Sequence, residues 1–227
     1  MNYQYHWDFA FLAHNVPLLL WGLANTLRLA VVAAVCGMAI GLLVAAARLG
    51  PWRLLSACAT AYVELFRNIP GIVQLFWFYY TIPVLTGWQS SPWIASTVSL
   101  SLYSGGYFAE IYRAGIQSVE RGQWEGARAL GFGYLGALRD VVLPQAVQRM
   151  IPAFTNRILE VIKTTTLASA IAFGELLYTA KQISDDALRP MEAYTAVAVI
   201  FTAILLPLTY VALRLERRAG RGRGLAR

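Results

Sequence analysis

Charged residues are scarce in this chain of 227 residues: Asp, Glu, Lys and Arg make up 14%, against 58% hydrophobic residues and a mean hydropathy of +0.52. A soluble domain carries about a quarter charged residues, and disorder requires low hydrophobicity, so both are excluded and the sequence belongs in a bilayer. Histidine is limited to His6 and His14, neither in a metal-ligand pattern, and G-x-S-x-G is missing. The usual marks of a membrane hydrolase or metalloenzyme are therefore absent. The sequence also lacks G-x-x-x-x-G-K-[ST], so the chain does not hydrolyse ATP by itself. Two cysteines, Cys36 and Cys58, stand in apolar surroundings; they suggest neither a disulfide framework nor a zinc site and read as small hydrophobes. Residues 1–15 have no Lys or Arg and no small-residue cleavage pattern, so they read as an interfacial lead-in and not a secretory signal.

What is present is a series of apolar runs. About 20 residues cross the hydrocarbon core, and spans are expected at about 16–47, 54–83, 93–112, 151–178 and 194–213, giving an all-α polytopic protein with a single transmembrane domain. Residues 113–149 hold five Arg and Gly at 115, 122, 126, 131, 133 and 136, too polar for lipid, and form an extramembrane loop. Residues 214–227 form a basic tail with six Arg, read as a solvated end. The net charge of +7 reports orientation here and not a nucleic-acid partner: short loops rich in Lys and Arg stay cytoplasmic. With the N-terminus outside and the C-terminus inside, thirteen Arg fall on the inner side, and only Lys181 and Arg189 on the outer.

The long loop reads Glu125-Gly126-Ala127, three residues, Gly131, nine residues, then Val141-Val142-Leu143-Pro144. This resembles the cytoplasmic EAA loop of ABC importer permeases, E-A-A, three residues, G, nine residues, I-x-L-P. Spacing agrees at every position, with Gly126 and Val141 as departures. Such a loop is a short helix packing into a groove on a soluble partner, with Trp124, Ala127, Ala129 and Leu130 offering apolar contact and Glu125 and Arg128 polar contact. Gly131 permits the turn after it, and Pro144 disfavours helical geometry at Leu143, marking a corner into the next span.

Further stretches are similar to polar amino acid permeases of the histidine and glutamine type. They are Glu64-Leu-Phe-Arg67-Asn-Ile-Pro70, then Ser104 with Tyr107, Glu110 and Arg113, then 156–167 with Asn156, Lys163, Thr165 and Leu167. The resemblance covers about residues 22–213. It implies a type I importer permease in the bacterial inner membrane, not an enzyme and without a cofactor of its own. The same resemblance implies an ATPase subunit dimer holding ATP and Mg, a second permease as homodimer or heterodimer, membrane lipid, and a periplasmic or lipid-anchored substrate-binding protein. Polar amino acids are the expected cargo; opines, osmolytes or other small zwitterions are the alternative, and a channel or membrane enzyme is the rival from another class.

A charge at the bilayer centre costs about 2.5 to 3.5 kcal/mol even on insertion scales, so the charges of the fourth span need a reason. Arg157, Glu160 and Thr164 fall at helical spacing on one face, bordered by Asn156 and Lys163, and that face is expected to line a cavity. In one reading Arg157 offers a fork to a substrate carboxylate and Glu160 takes the ammonium. In the other, Glu160 pairs internally with Arg157 or Lys163. Where this chain has Arg157 and Thr164 the family pattern has acids. Tyr103, Ser104 and Gln74 are candidates for the same path or for helix packing, Arg28 is expected to snorkel, and Glu64 with Arg67 and Glu110 with Arg113 are expected to form internal pairs.

Overall fold

From Val16 onward only Asn25, Thr26 and Arg28 interrupt an apolar run, and Pro17 falls in the first turn, where a missing N–H is no loss. The result is one helix, α2, Val16–Leu49, of 34 residues, about 51 Å at 1.5 Å per residue and so longer than the hydrocarbon core is thick. It stops at Gly50 and Pro51. The computed structural model describes residues 6–221, and the regular structure among them is helical throughout. The short α1, Ala10–His14, precedes α2. After α2 come α3, Arg53–Asn68, α4, Gly71–Thr86, α5, Pro92–Gln117, and α6, Arg121–Ala129. The chain continues with α7, Leu143–Thr164, α8, Leu176–Ala187, and α9, Pro190–Arg221.

The most extensive packing joins α2 to α5, because both carry small residues along the shared face. Ala33, Gly37, Gly41 and Ala45 of α2 are buried, as are Ser101, Ser104, Gly105 and Ala109 of α5. A Cβ at Gly41 would stand 2.6 Å from Phe108 Cβ and 2.8 Å from the Ala109 nitrogen; glycine is what lets the two backbones meet. Leu29, Leu100, Val161 and Ala168 extend this contact into a core shared by α2, α5, α7 and the turn after it. At the other end Leu12, Leu19, Leu176 and Val197 join α1, α2, α8 and α9.

The second expected span, 54–83, is not one helix. Pro70 holds Ile69 extended, and α3 meets α4 at a bend of 105°. The Gln74 amide bridges the break, donating to Phe66 O at 2.9 Å and Ile69 O at 2.8 Å, two carbonyls that the end of α3 leaves open. Residues 77–81 of α4 form a wide π-type turn. The fourth expected span, 151–178, also divides: a 3-10 turn, Thr165–Ile171, follows α7, Ala172 takes a left-handed conformation at φ 58°, and α8 begins at Leu176. The expected loop 113–149 is mostly helical, since α5 runs on to Gln117 and helix resumes at Tyr134.

Among the described residues, two helices are long and apolar enough to cross a membrane, Val16–Leu49 and Pro190–Arg217, and the bent pair α3 and α4 would make a third. The serines of α5 and the charges Arg149, Arg157, Glu160 and Lys163 of α7 keep those two helices below that measure. Residues beyond 221, the end of the expected basic tail, lie outside the described residues, as do residues 1–5. Cys36 and Cys58 are free thiols exposed on their helices, not buried ones.

Candidate functional site

The polar face of α7 meets α5 in the middle of the helical bundle. Arg157 is 3% exposed; its Nη1 donates to Glu160 Oε2 at 2.9 Å, and Nη2 lies 3.5 Å from Ser104 Oγ. The flat face of the guanidinium rests 3.9 Å from the Tyr107 ring centroid, with Tyr103 at 5.1 Å. A cation over a tyrosine face gains electrostatic attraction that grows where water is excluded. Glu160 stays 55% exposed in its side chain, and Asn156 and Lys163 are exposed beside it. Thr164 donates its hydroxyl to Glu160 O at 2.7 Å. Of the seven residues expected on this path, Glu160, Ser104 and Tyr103 each meet Arg157, while Asn156, Lys163 and Thr164 flank it along α7. The pairing of Glu160 is with Arg157 and not with Lys163.

Tyr107 is the residue of this site that sequence reasoning missed. It lies one helical turn from Tyr103, and its ring is stacked by Arg157 on one hand and approached by Arg67 at 5.4 Å on the other. The expected pair of Glu64 with Arg67 does not form: Glu64 accepts from Asn68 at 3.0 Å, whereas Arg67 reaches Glu110 at 3.9 Å. Arg67 stands on the last turn of α3, which packs along α5 and so brings it within reach of Glu110. Glu110 does brace Arg113, as expected, and also accepts from Arg48 Nη1 at 2.8 Å, so one carboxylate ties the ends of α2, α3 and α5. Arg28 is exposed and sits 4.8 Å over the Trp93 ring. Gln74 is buried and serves the helix break.

The motif Glu125-Gly126-Ala127 lies on α6, clear of the bundle. Gly131 at φ 85° closes the helix, its N–H donating to Arg128 O and the Phe132 N–H to Ala127 O, the paired bonds of a left-handed glycine cap. Glu125, Gly126, Arg128, Ala129 and Leu130 are exposed, Leu130 at 80%. Contrary to expectation, Ala127 is 3% exposed and turned to its own chain, whereas Trp124 is half-buried: it stacks on Tyr134, packs against the cluster of Val119, Val142 and Met150, and lines the cleft beside Glu125. Ala127 and Trp124, three residues apart on one face, anchor the helix to its own chain, while Glu125 points away and the exposed Leu130 caps the helix beyond its last turn. Gln145 of α7 adds a bond to Gln123 at 3.0 Å. A cleft of about 980 Å³ opens along Arg121, Glu125 and Arg128.

Leu143 and Pro144 do not form a corner. Leu143 is helical at φ −58° and ψ −43°, and Pro144 falls in the first turn of α7. The preceding π-type turn, Ala137–Val142, lets the Leu143 N–H donate to Leu138 O, five residues back, and the widened turn gives the proline ring room that a regular helix would deny it.

Residues 37–221 match a family model described as binding-protein-dependent transport system inner membrane component. The arginine transport system permease protein ArtQ of Bacillus subtilis is 32% identical over 211 residues, covering 93% of this chain and 96% of that protein. The glutamine transport system permease protein GlnP of Escherichia coli K12 is 34% identical over 217 residues, covering 95% and 98%. The nopaline transport system permease protein NocM of Agrobacterium fabrum is 35% identical over 217 residues, covering 92% and 88%. Among solved structures, an amino acid ABC transporter with histidines superposes with a TM-score of 0.90 at 32% identity, covering 94% of this chain and 100% of that chain.

Proposed function

The chain belongs to the family of binding-protein-dependent transport system inner membrane components, and from that membership we propose that it is the permease subunit of an ATP-driven importer for polar amino acids. The observation that carries the reading is identity of at least 30% to permeases named for arginine and glutamine, over more than nine-tenths of each chain. Nopaline, the cargo named for a relative of similar identity, is an opine and keeps that class as the second reading. Family members are transporter membrane subunits and not enzymes.

In this reading the chain crosses the bacterial inner membrane five times, through α2, the bent α3 and α4 together, α5, α7 and α9, with its N-terminus outside. The polar helices α5 and α7 count as spans because their charges face a water-filled path. Asn156, Glu160 and Lys163 are exposed on an isolated chain, and lipid would not tolerate them, so a second permease subunit closes the path. The exposed face of α6, with Glu125 and Leu130, is the coupling surface for an ATPase subunit, and Gly131, Leu143 and Pro144 hold it in place through the glycine cap and the widened turn. ATP and Mg belong to the ATPase pair, and a binding protein delivers substrate from outside; this chain holds no cofactor. Closure of the ATPase dimer pushes α6, and the spans turn the path outward.

ATP-driven uptake of labelled acidic, neutral and basic amino acids, in cells carrying the other transport components with and without this chain, tests the proposal. Uptake that requires the chain is expected. Uptake of nopaline but of no amino acid would favour the opine reading, and no chain-dependent uptake of either would overturn both.

A further inference from the structure

We propose that Arg157 is a specificity-determining positioning residue: held under Tyr103 and Tyr107, it neutralises the exposed Glu160 and leaves Lys163 to set the sign of the path, which therefore admits amino acids of no net positive charge. The proposal rests on the permease reading above and deepens it.

Three observations carry it. Arg157 is shut off from a solute by burial: it is 3% exposed, its Nη1 is engaged by Glu160 at 2.9 Å, it lies 3.9 Å from the Tyr107 ring centroid, and its Nε, which has no hydrogen-bond partner, is buried as well. A substrate carboxylate could reach the Nε and Nη2 edge only by moving the side chains that cover it. Glu160, by contrast, is 55% exposed, so a solute in the path meets a carboxylate whose charge is already matched by a fixed, buried cation. Lys163, one turn along the same helix, is exposed and forms no ion pair among the described residues. The wall formed by Asn156, Arg157, Glu160, Lys163 and Thr164 thus carries two positive charges and one negative. Arg67, on the far side of Tyr107 at 5.4 Å, is itself drawn to Glu110, so it does not reverse that balance.

Charge of one sign acts over a longer range in a narrow path walled by low-dielectric protein than in open water. A zwitterion brings its carboxylate to Lys163 and its ammonium to the unpaired oxygen of Glu160, each a charge-assisted contact. A solute with a second cation on its side chain finds no unmatched carboxylate and meets Lys163 and the Arg157 charge behind Glu160. Arg157 contributes to this discrimination without touching the solute.

The test compares uptake of labelled lysine, glutamine and glutamate in the assembled transporter carrying wild-type chain, Arg157→Gln, Arg157→Lys or Lys163→Gln. The readout is the ratio of lysine to glutamine uptake, which does not change with the amount of transporter in the membrane. Wild type is expected to favour glutamine or glutamate over lysine. Arg157→Gln should raise the ratio about tenfold, the size of a modest change in pocket chemistry, whereas Arg157→Lys, which keeps the charge, should leave it near the wild-type value. Lys163→Gln, an exposed position whose change disturbs no packing, should raise the ratio too and decides the matter if Arg157→Gln fails to assemble. Parallel loss of lysine and glutamine uptake at an unchanged ratio in both Gln variants would overturn the assignment, as would a wild type that prefers lysine. No chain-dependent uptake of any of the three would instead remove the permease reading on which the assignment rests.

Discussion

Glycine does opposite work at two positions of this chain, and the surroundings decide which. Gly41 stands where α2 and α5 touch, and any Cβ there meets Phe108 Cβ at 2.6 Å and backbone atoms of α5 at 2.8 and 3.0 Å. Backbone does not move aside as a flexible side-chain tip does. Gly41→Val is therefore expected to destabilise the bundle by about 1 to 3 kcal/mol, the usual range for overpacking a filled contact. Gly126, by contrast, lies on the exposed face of α6, and a Cβ there would meet nothing within 4 Å. Gly126→Ala is expected to be neutral or to stabilise α6 by up to about 1 kcal/mol, the helix-propensity difference alone. Thermal unfolding of the two purified variants in one detergent checks both: a lower midpoint for Gly41→Val and no drop for Gly126→Ala. Equal midpoints would mean that α2 and α5 do not approach as closely as the small residues of both helices allow.

The helix α6 is attached to its own chain on one face and exposed on the other. Ala127 and Trp124 face the chain, Glu125 and Leu130 face away, and a spacing of residues alone does not say which side is which. The motif was legible in the sequence because its spacing survives without its structure; the burial of Ala127 was not, because it depends on Tyr134 and Val142 folding back beneath the helix. Similarly, α2 and α9 were legible as long apolar runs. The break between α3 and α4 was not, because Pro70 sits inside a continuous apolar stretch and Gln74, which satisfies the broken end, reads as an ordinary polar residue. On the face that remains free, Glu125 is exposed and unpaired among the described residues. Glu125→Lys is expected to lower ATP-driven uptake about tenfold, the loss of ~1.4 kcal/mol at a docking contact, while ATP hydrolysis by the assembled complex continues and the chain still inserts. Normal uptake per ATP hydrolysed by that variant would detach α6 from the coupling role.

At the scale of the whole molecule, apolarity and charge point to the same arrangement by independent routes. Among the described residues, only α2, α9 and the bent α3 and α4 pair are apolar enough to face lipid on their own, which leaves α5 and α7 needing shelter. Both pack inside the protomer, α5 against α2 and α7 against α5 and α9, while the Glu160 face of α7 stays open. In the proposed arrangement α5 and α7 count as spans too, which makes five, an odd number that would put the two ends of the chain on opposite sides. The proposed orientation follows from the Arg distribution: Arg121 and Arg128 lie in α6, Arg139 and Arg149 follow it, and Arg214 and Arg217 lie near the end of α9, a set that the positive-inside preference would keep in the cytoplasm. Reporter fusions test this directly. A fluorescent protein joined after Arg227 and one inserted between Gly131 and Phe132 are expected to glow, as they do only in the cytoplasm, and an alkaline phosphatase joined after Ser90 is expected to be active, as it is only outside. A phosphatase active after Arg227 would reverse the orientation and place α6 out of reach of any ATPase.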